Sequence, residues 1–156
     1  MKTRYNIILL MIPMAILGLA DDCAANPVSV FYPSPTAATL RVDPKVNGND
    51  IQILPNYPLD NVVILGELSV DGGRGASLHD LMVAALSEAA SKGADFVALV
   101  RVDTQANLFL GKMVPAGHGR SMFVAGPLKG SEVGRIASIP NESPGAIRVA
   151  LGKYAK

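Results

Sequence analysis

The most regular apolar pattern lies in the middle of the chain. Asn61-Val-Val-Ile-Leu-Gly-Glu-Leu-Ser-Val70 is a β-rich run that stops at the loop Asp71-Gly-Gly-Arg-Gly-Ala76, and it predicts a strand followed by a turn. Beyond the loop, Leu78, Leu81, Met82, Ala85, Leu86 and Ala89 recur at spacings of three and four, which places them on one stripe of a helix. His79, Ser87, Glu88, Ser91 and Lys92 fall mainly outside that stripe. Ser77 is a good N-cap, and Asp80 can reach back to it in a capping-box-like arrangement while complementing the helix dipole. Glu88 and Lys92 form a favourable i, i+4 pair, and Gly93 supplies a left-handed stop. Phe96-Val-Ala-Leu-Val-Arg-Val102 then reads as a buried strand. Residues 61–102 are therefore one strand, helix, strand unit. Its connection is long enough for a right-handed parallel crossover, and direct antiparallel pairing of the two strands stays open.

The flanks are less regular. Residues 26–60 carry Pro27, Pro33, Pro35, Pro44, Pro55 and Pro58, each of which fixes φ and removes a backbone donor. Residues 38–42 and 51–54 are the strand candidates there, with Asn47-Gly-Asn-Asp50 as the turn between them. Residues 26–35 read as an extended leader, either a tether or a segment lying along the domain surface. Apolar runs at 108–110, 121–125 and 147–151 add further strands, separated by Gly and Pro clusters at 115–119, 126–130 and 140–145. The predicted fold class is α/β (α+β): a single small domain over residues 38–156, with one mixed sheet and one long amphipathic helix on one of its faces.

A different pattern opens the chain. Lys2 and Arg4 precede 14 uncharged residues, Ile7 to Ala20, and Asp21 and Asp22 follow at once. A basic start, an apolar centre and a small-residue exit are the features of a secretory signal peptide. As a helix the apolar run would span about 21 Å, short of a hydrocarbon core of roughly 30 Å, and Pro13 interrupts it. The expected signal peptide is residues 1–20, with residues 21–37 as a Pro-containing leader. Cleavage after Ala20 is preferred, and cleavage after Ala25 is the alternative. Cys23 follows Ala20-Asp21-Asp22 rather than a lipobox, so lipidation is not expected. As the one cysteine it makes no internal disulfide, though an intermolecular bridge stays open.

Composition narrows the function classes. Of 156 residues 49% are hydrophobic, too many for a disordered chain, and the roughly 130 residues left once the first 20 to 25 are set aside suit one domain. Fourteen Lys plus Arg against 13 Asp plus Glu leave a net charge of +1, which gives no field to steer a polyanion, and nucleic-acid binding is not expected. The few aromatic residues lack interleaved basic neighbours, which argues against a stacking platform for single strands or sugars.

Chemical motifs are sparse. Gly72, Gly73 and Gly75, with the helix start at Ser77, could cradle an anion on backbone N–H groups. Their spacing is neither that of a P-loop nor that of a dinucleotide site, and a connecting loop is the preferred reading. His79 and His118 sit in no metal-ligand spacing, and neither a metal nor a cofactor is expected. No G-x-S-x-G elbow occurs. A carboxylate pair drawn from Glu67, Asp71, Asp80, Asp95 and Asp103 is the remaining catalytic option, although Asp95 and Asp103 have ordinary roles at element ends. The expectation is no catalytic residue.

The text Ile64-Leu-Gly-Glu-Leu68 followed by Ala89-Ala-Ser-Lys-Gly-Ala-Asp-Phe-Val-Ala98 resembles small bacterial envelope proteins of the YbjQ-like and RcsF-like kind, over about residues 60–103. The resemblance implies a compact α/β fold in the cell envelope, among proteins that are lipoproteins, stress sensors or of unknown role. This chain departs from the sensor pattern in having no cysteine within the domain, and no ligand set here matches the heavy-metal label attached to the YbjQ-like group. The expected function is that of an exported, periplasmic or secreted, non-enzymatic envelope protein. Its sheet surface or edge would serve protein contacts or self-association, and it would meet the membrane only through the signal peptide. The alternatives are a small-ligand or anion binder using the glycine loop and a hydrolase with a carboxylate pair.

Overall fold

The computed structural model describes residues 26–58, 60–102, 109–139 and 143–155. The expected signal peptide, Cys23 and Asp103 lie outside them. Nine strands and one α-helix are described, giving a mixed α+β fold: β1 (Val28–Pro33), β2 (Gln52–Leu54), β3 (Val62–Asp71), α1 (Leu78–Ser91), β4 (Phe96–Val102), β5 (Phe109–Gly117), β6 (Arg120–Ala125), β7 (Leu128–Lys129), β8 (Ile136–Ile139) and β9 (Ala146–Tyr154).

The strands form two sheets, where one was expected. Six strands run in the order β1-β3-β9-β4-β2-β7, and three in the order β6-β5-β8. The chain leaves the larger sheet after β7 through the 3-10 helix Gly130–Arg135. There the Gly130 N–H donates to the Ile51 carbonyl at 2.7 Å and the Ser131 N–H to that of Asn49 at 3.0 Å. Held by these bonds, the chain turns away, and β8 finds its partner in β5 instead.

The central unit is a parallel crossover. Both β3 and β4 pair antiparallel with β9, which lies between them, so the two strands flanking α1 run in the same direction without touching. The N-terminal extended stretch is an edge strand, not a tether: Val28 to Pro33 pair with Asp71 to Gly66. Residues 38–42 do not form the expected strand. Pro35 opens a 3-10 helix, Pro35–Thr39, in which the N–H groups of Ala37 and Leu40 donate to the carbonyls of Ser34 and Ala37. These local bonds occupy the backbone before a ladder can form.

The helix starts at Ser77 and stops at Gly93 as read. The Ser77 hydroxyl accepts the Asp80 N–H, and Gly93 has φ +65. A Cβ at Gly93 would overlap the Asp43 carbonyl. At 14 residues α1 is of ordinary length. Its buried side chains are the predicted stripe plus Ala90, while Val83 on the outward side is 44% exposed. The stripe packs on Leu65, Leu68, Val70, Val97, Val149 and Leu151 of the larger sheet. On the sheet's opposite face Phe96, Ala98 and Ala150 form a smaller cluster with Leu54, Val62 and Ile64.

Three of the four phenylalanines cover a strand glycine. The rings of Phe31, Phe96 and Phe123 lie where a Cβ on Gly66, Gly152 and Gly111 would sit. A glycine weakens a strand by offering no side chain to pack, and an aromatic ring laid over it restores the contact. Phe96 is fully buried and directly opposite Gly152 in the register. Gly152→Ala will therefore push the ring aside at a cost of about 1–3 kcal/mol, seen as a lower urea midpoint with an unchanged slope.

Candidate functional site

The glycine loop begins where β3 ends. The Gly72 N–H donates to the Gly145 carbonyl at 2.9 Å, and the Ala76 N–H to that of Gly73 at 3.4 Å. The Gly73 N–H donates to the Asp71 carboxylate at 2.8 Å. Gly73 and Gly75 both have positive φ, as a tight strand-to-helix turn requires. Ser77 is occupied by the cap: its hydroxyl accepts the Asp80 N–H at 3.2 Å and donates to the Asp80 carboxylate at 2.6 Å. That bond from the Ser77 hydroxyl is the leading cause holding Asp80 below the usual carboxylate range. The loop amides of Gly72, Gly73 and Ala76 thus serve the protein, and the carboxylates of Asp71 and Asp80 stand beside them.

The other candidate carboxylates are dispersed. Glu67 and Asp71 are four residues apart on β3, about 13 Å along a strand, wider than the roughly 5–9.5 Å of glycosidase pairs. Asp95 is engaged by Lys45 at 2.9 Å, Lys153 at 3.6 Å and the Tyr154 N–H at 3.2 Å. Burial is the largest single influence on Asp95 and favours its neutral form. The hydrogen bond and charge of Lys45, the charge of Lys153 and the Tyr154 N–H together outweigh it, so its pKa lies below the ordinary value. The His79 Nδ1 lies 3.1 Å from the Val133 carbonyl, tying α1 to the 3-10 helix Gly130–Arg135. His118 stands at the β5–β6 turn with φ +50. Among the described residues no group of three His, Cys, Asp or Glu is placed to hold a metal, and no described helix is long and apolar enough to cross a membrane.

Two surface features were not singled out from the sequence. The first is the β5–β6 hairpin with β8. His118 and Gly119 both have positive φ and link Gly117 to its register partner Arg120, as in the tight turn that suits strand twist. Register places Phe109, Met113, Pro115, Phe123, Ala125 and Ile139 on the outer face with Gly111, Ser121 and Ala137, and none of these is charged. Phe109 is 62% exposed, Ile139 48% and Met113 40%. Among the described residues the inner face packs at its base, through Leu110 and Ile136, buried Ser138 and the Lys112–Glu132 ion pair at 2.6 Å. Further out Met122 is 54% exposed and Val124 39%. The apolar run at 121–125 was the signal for the strand, and its lack of alternation left apolar side chains on both faces.

The second feature is an open cavity of about 400 Å³ on the larger sheet, lined by Tyr32, Pro33, Ser34, Tyr57, Ile64, Gly66 and Glu67. A β-bulge between Ile64 and Gly66 shifts the alternation of β3. Leu65 and Leu68 both join the core under α1, and Ile64 and Glu67 are left to line the cavity. Tyr32 is the register partner of Glu67. Burial, with the nearby charge of Glu67 second, pushes the Tyr57 hydroxyl above its usual range.

Comparison with protein-family models, curated proteins and solved structures finds no match for this chain. The envelope-protein resemblance of residues 60–103 rests on the sequence alone.

The Asp95 cluster has a testable pH signature. Its folded pKa lies below the unfolded value of about 3.9, so its contribution is complete above that value and is lost as pH falls through the lower folded one. Asp95→Asn will cost about 0.5–1 kcal/mol at neutral pH. In urea titrations the destabilisation will shrink as pH falls below the ordinary carboxylate range.

Proposed function

We propose that this chain is an exported, non-enzymatic bacterial envelope protein that works through protein contacts, either with a second copy of itself or with an envelope partner. The observation that carries the reading is the β5–β6 arm, whose outer face is uncharged and which, among the described residues, exposes Phe109, Met113, Met122 and Val124. Water is unfavourable around contiguous apolar surface of this kind, and such patches mark interaction sites. The flanking strands β6 and β8 are also edges of their sheet, so their unpaired backbone groups are open to a strand from another chain. The non-enzymatic part of the reading draws support from the roles of Asp71, Asp80 and Asp95, each of which serves a turn, a cap or an ion pair. Export follows from Lys2, Arg4 and the uncharged run up to Ala20, with the periplasm or the exterior as destination. Membrane contact is confined to the signal peptide, without lipidation of Cys23, and the resemblance to YbjQ-like and RcsF-like proteins points to the same compartment.

Light scattering on the eluted mature protein will give a mass above that of one chain. Phe109→Lys combined with Met122→Lys will return the monomer mass while the far-UV spectrum is kept. A monomeric wild type that also captures no envelope protein through the arm would overturn the contact reading. Intact mass of protein from fractionated cells will place the first residue at Asp21 or Asn26 with no acyl chain. Finding Met1 retained in a cytosolic product would reject export.

A further inference from the structure

We infer that the cavity between β1, β3 and the loop carrying Tyr57 is a binding site for a small organic cation, an alkylammonium group held by Tyr32, Tyr57 and Glu67. The inference is independent of the arm and of the glycine loop. Its volume, about 400 Å³, falls within the usual range of small-ligand pockets. Three features select the charge of the ligand. Glu67 is the one charged side chain among the lining residues. Among the described residues Glu67 makes no ion pair, in contrast to Asp95, Glu88 and Glu132. Two tyrosines flank it, one as its cross-strand neighbour and one close enough for the Glu67 charge to act on its hydroxyl.

Aromatic faces carry a negative quadrupole, and their attraction adds to that of a carboxylate for a cation placed between them. An anion would meet the Glu67 charge at close range. A neutral polyol would leave the carboxylate uncompensated. A hard metal ion needs six or more oxygen ligands, usually with several carboxylates, whereas this cavity offers one carboxylate and the hydroxyls of Tyr32, Ser34 and Tyr57 beside apolar surface from Pro33 and Ile64. An alkylammonium satisfies both parts, its charge toward Glu67 and its methyl or methylene groups against the rings and the aliphatic wall.

The geometry is built into the fold. The bulge after Ile64 turns Glu67 toward the cavity side, and at Gly66 a Cβ would overlap the Tyr32 carbonyl and the Phe31 ring, so β1 sits tight against β3. The Tyr32 backbone is thereby held in register beside Glu67.

The test is a two-dimensional amide NMR titration of the mature protein with choline and with tetramethylammonium, against sodium chloride at matched ionic strength. Saturable shifts clustered at Tyr32, Tyr57 and Glu67 are expected, with no such shifts from the uncharged isostere 3,3-dimethylbutan-1-ol. Glu67→Gln will weaken binding roughly fivefold, and Tyr57→Leu roughly three- to tenfold. Both positions are exposed or half-exposed, and an unchanged amide spectrum elsewhere will show that the variants fold. Co-sedimentation with phosphatidylcholine vesicles separates a lipid head group from a free solute, and saturable binding in either form supports the site. Shifts that track ionic strength alone, equal binding of the neutral isostere, or unaltered affinity in Glu67→Gln would each overturn it.

Discussion

The apolar row of α1 can leave water only against a sheet, and the two strands nearest to it in sequence do not touch each other. β9, from the C-terminal end of the chain, fills the space between β3 and β4 and pairs with both. Val149, Leu151 and Ile147 of that strand enter the same core as Leu81, Met82 and Leu86 of the helix. Without β9 the helix would face two unpaired strand edges. The core therefore closes only when residues 146–154 are in place, a contact of long sequence separation that is entropically expensive and slow to form.

The two faces of that central sheet differ in how they are covered. One carries the helix and most of the buried side chains. The other holds the small Phe96 cluster, closed in part by the ring of Tyr154, 5.3 Å from that of Phe96, whose hydroxyl donates to the Gln52 side chain at 2.7 Å. A chain of 5% aromatic residues and no tryptophan has little bulk for a second hydrophobic layer. It places three of its phenylalanines over glycines, where ring and backbone approach closely. The fourth, Phe109, stays exposed on the outer face of the smaller sheet.

The bulge in β3 links packing to chemistry. One inserted residue lets Leu65 and Leu68 serve the same core, and as a consequence Ile64 and Glu67 share the opposite face. A carboxylate within a strongly apolar run is thereby set beside Tyr32 and Tyr57. In regular alternation Ile64 and Glu67 would lie on opposite faces, and the cavity would lose one of them.

What the sequence determined by itself is what can be decided within a few residues. Ser77, Asp80 and Gly93 mark the helix ends through bonds and dihedrals three residues apart or less, and the stripe from Leu78 to Ala89 names its buried face. The strands 61–70, 96–102, 121–125 and 147–151 followed from apolar runs between Gly and Pro breaks. Tertiary structure decided the rest. Residues 28–33 looked like a leader because prolines flank them, and they became a strand only because β3 offered an edge. Residues 38–42 had a strand's composition, yet Pro35 gave their backbone nearer partners. The strand that begins at Phe109 runs on to Gly117 because β6 pairs with it through Pro115, which local rules read as part of a turn. Tyr32, Tyr57 and Glu67 are far apart in sequence or on different segments, and the register of two strands and one bulge brings them together. Local hydrogen bonds fix elements, whereas strand order and the face a side chain occupies depend on which distant apolar surfaces must be buried at the same time.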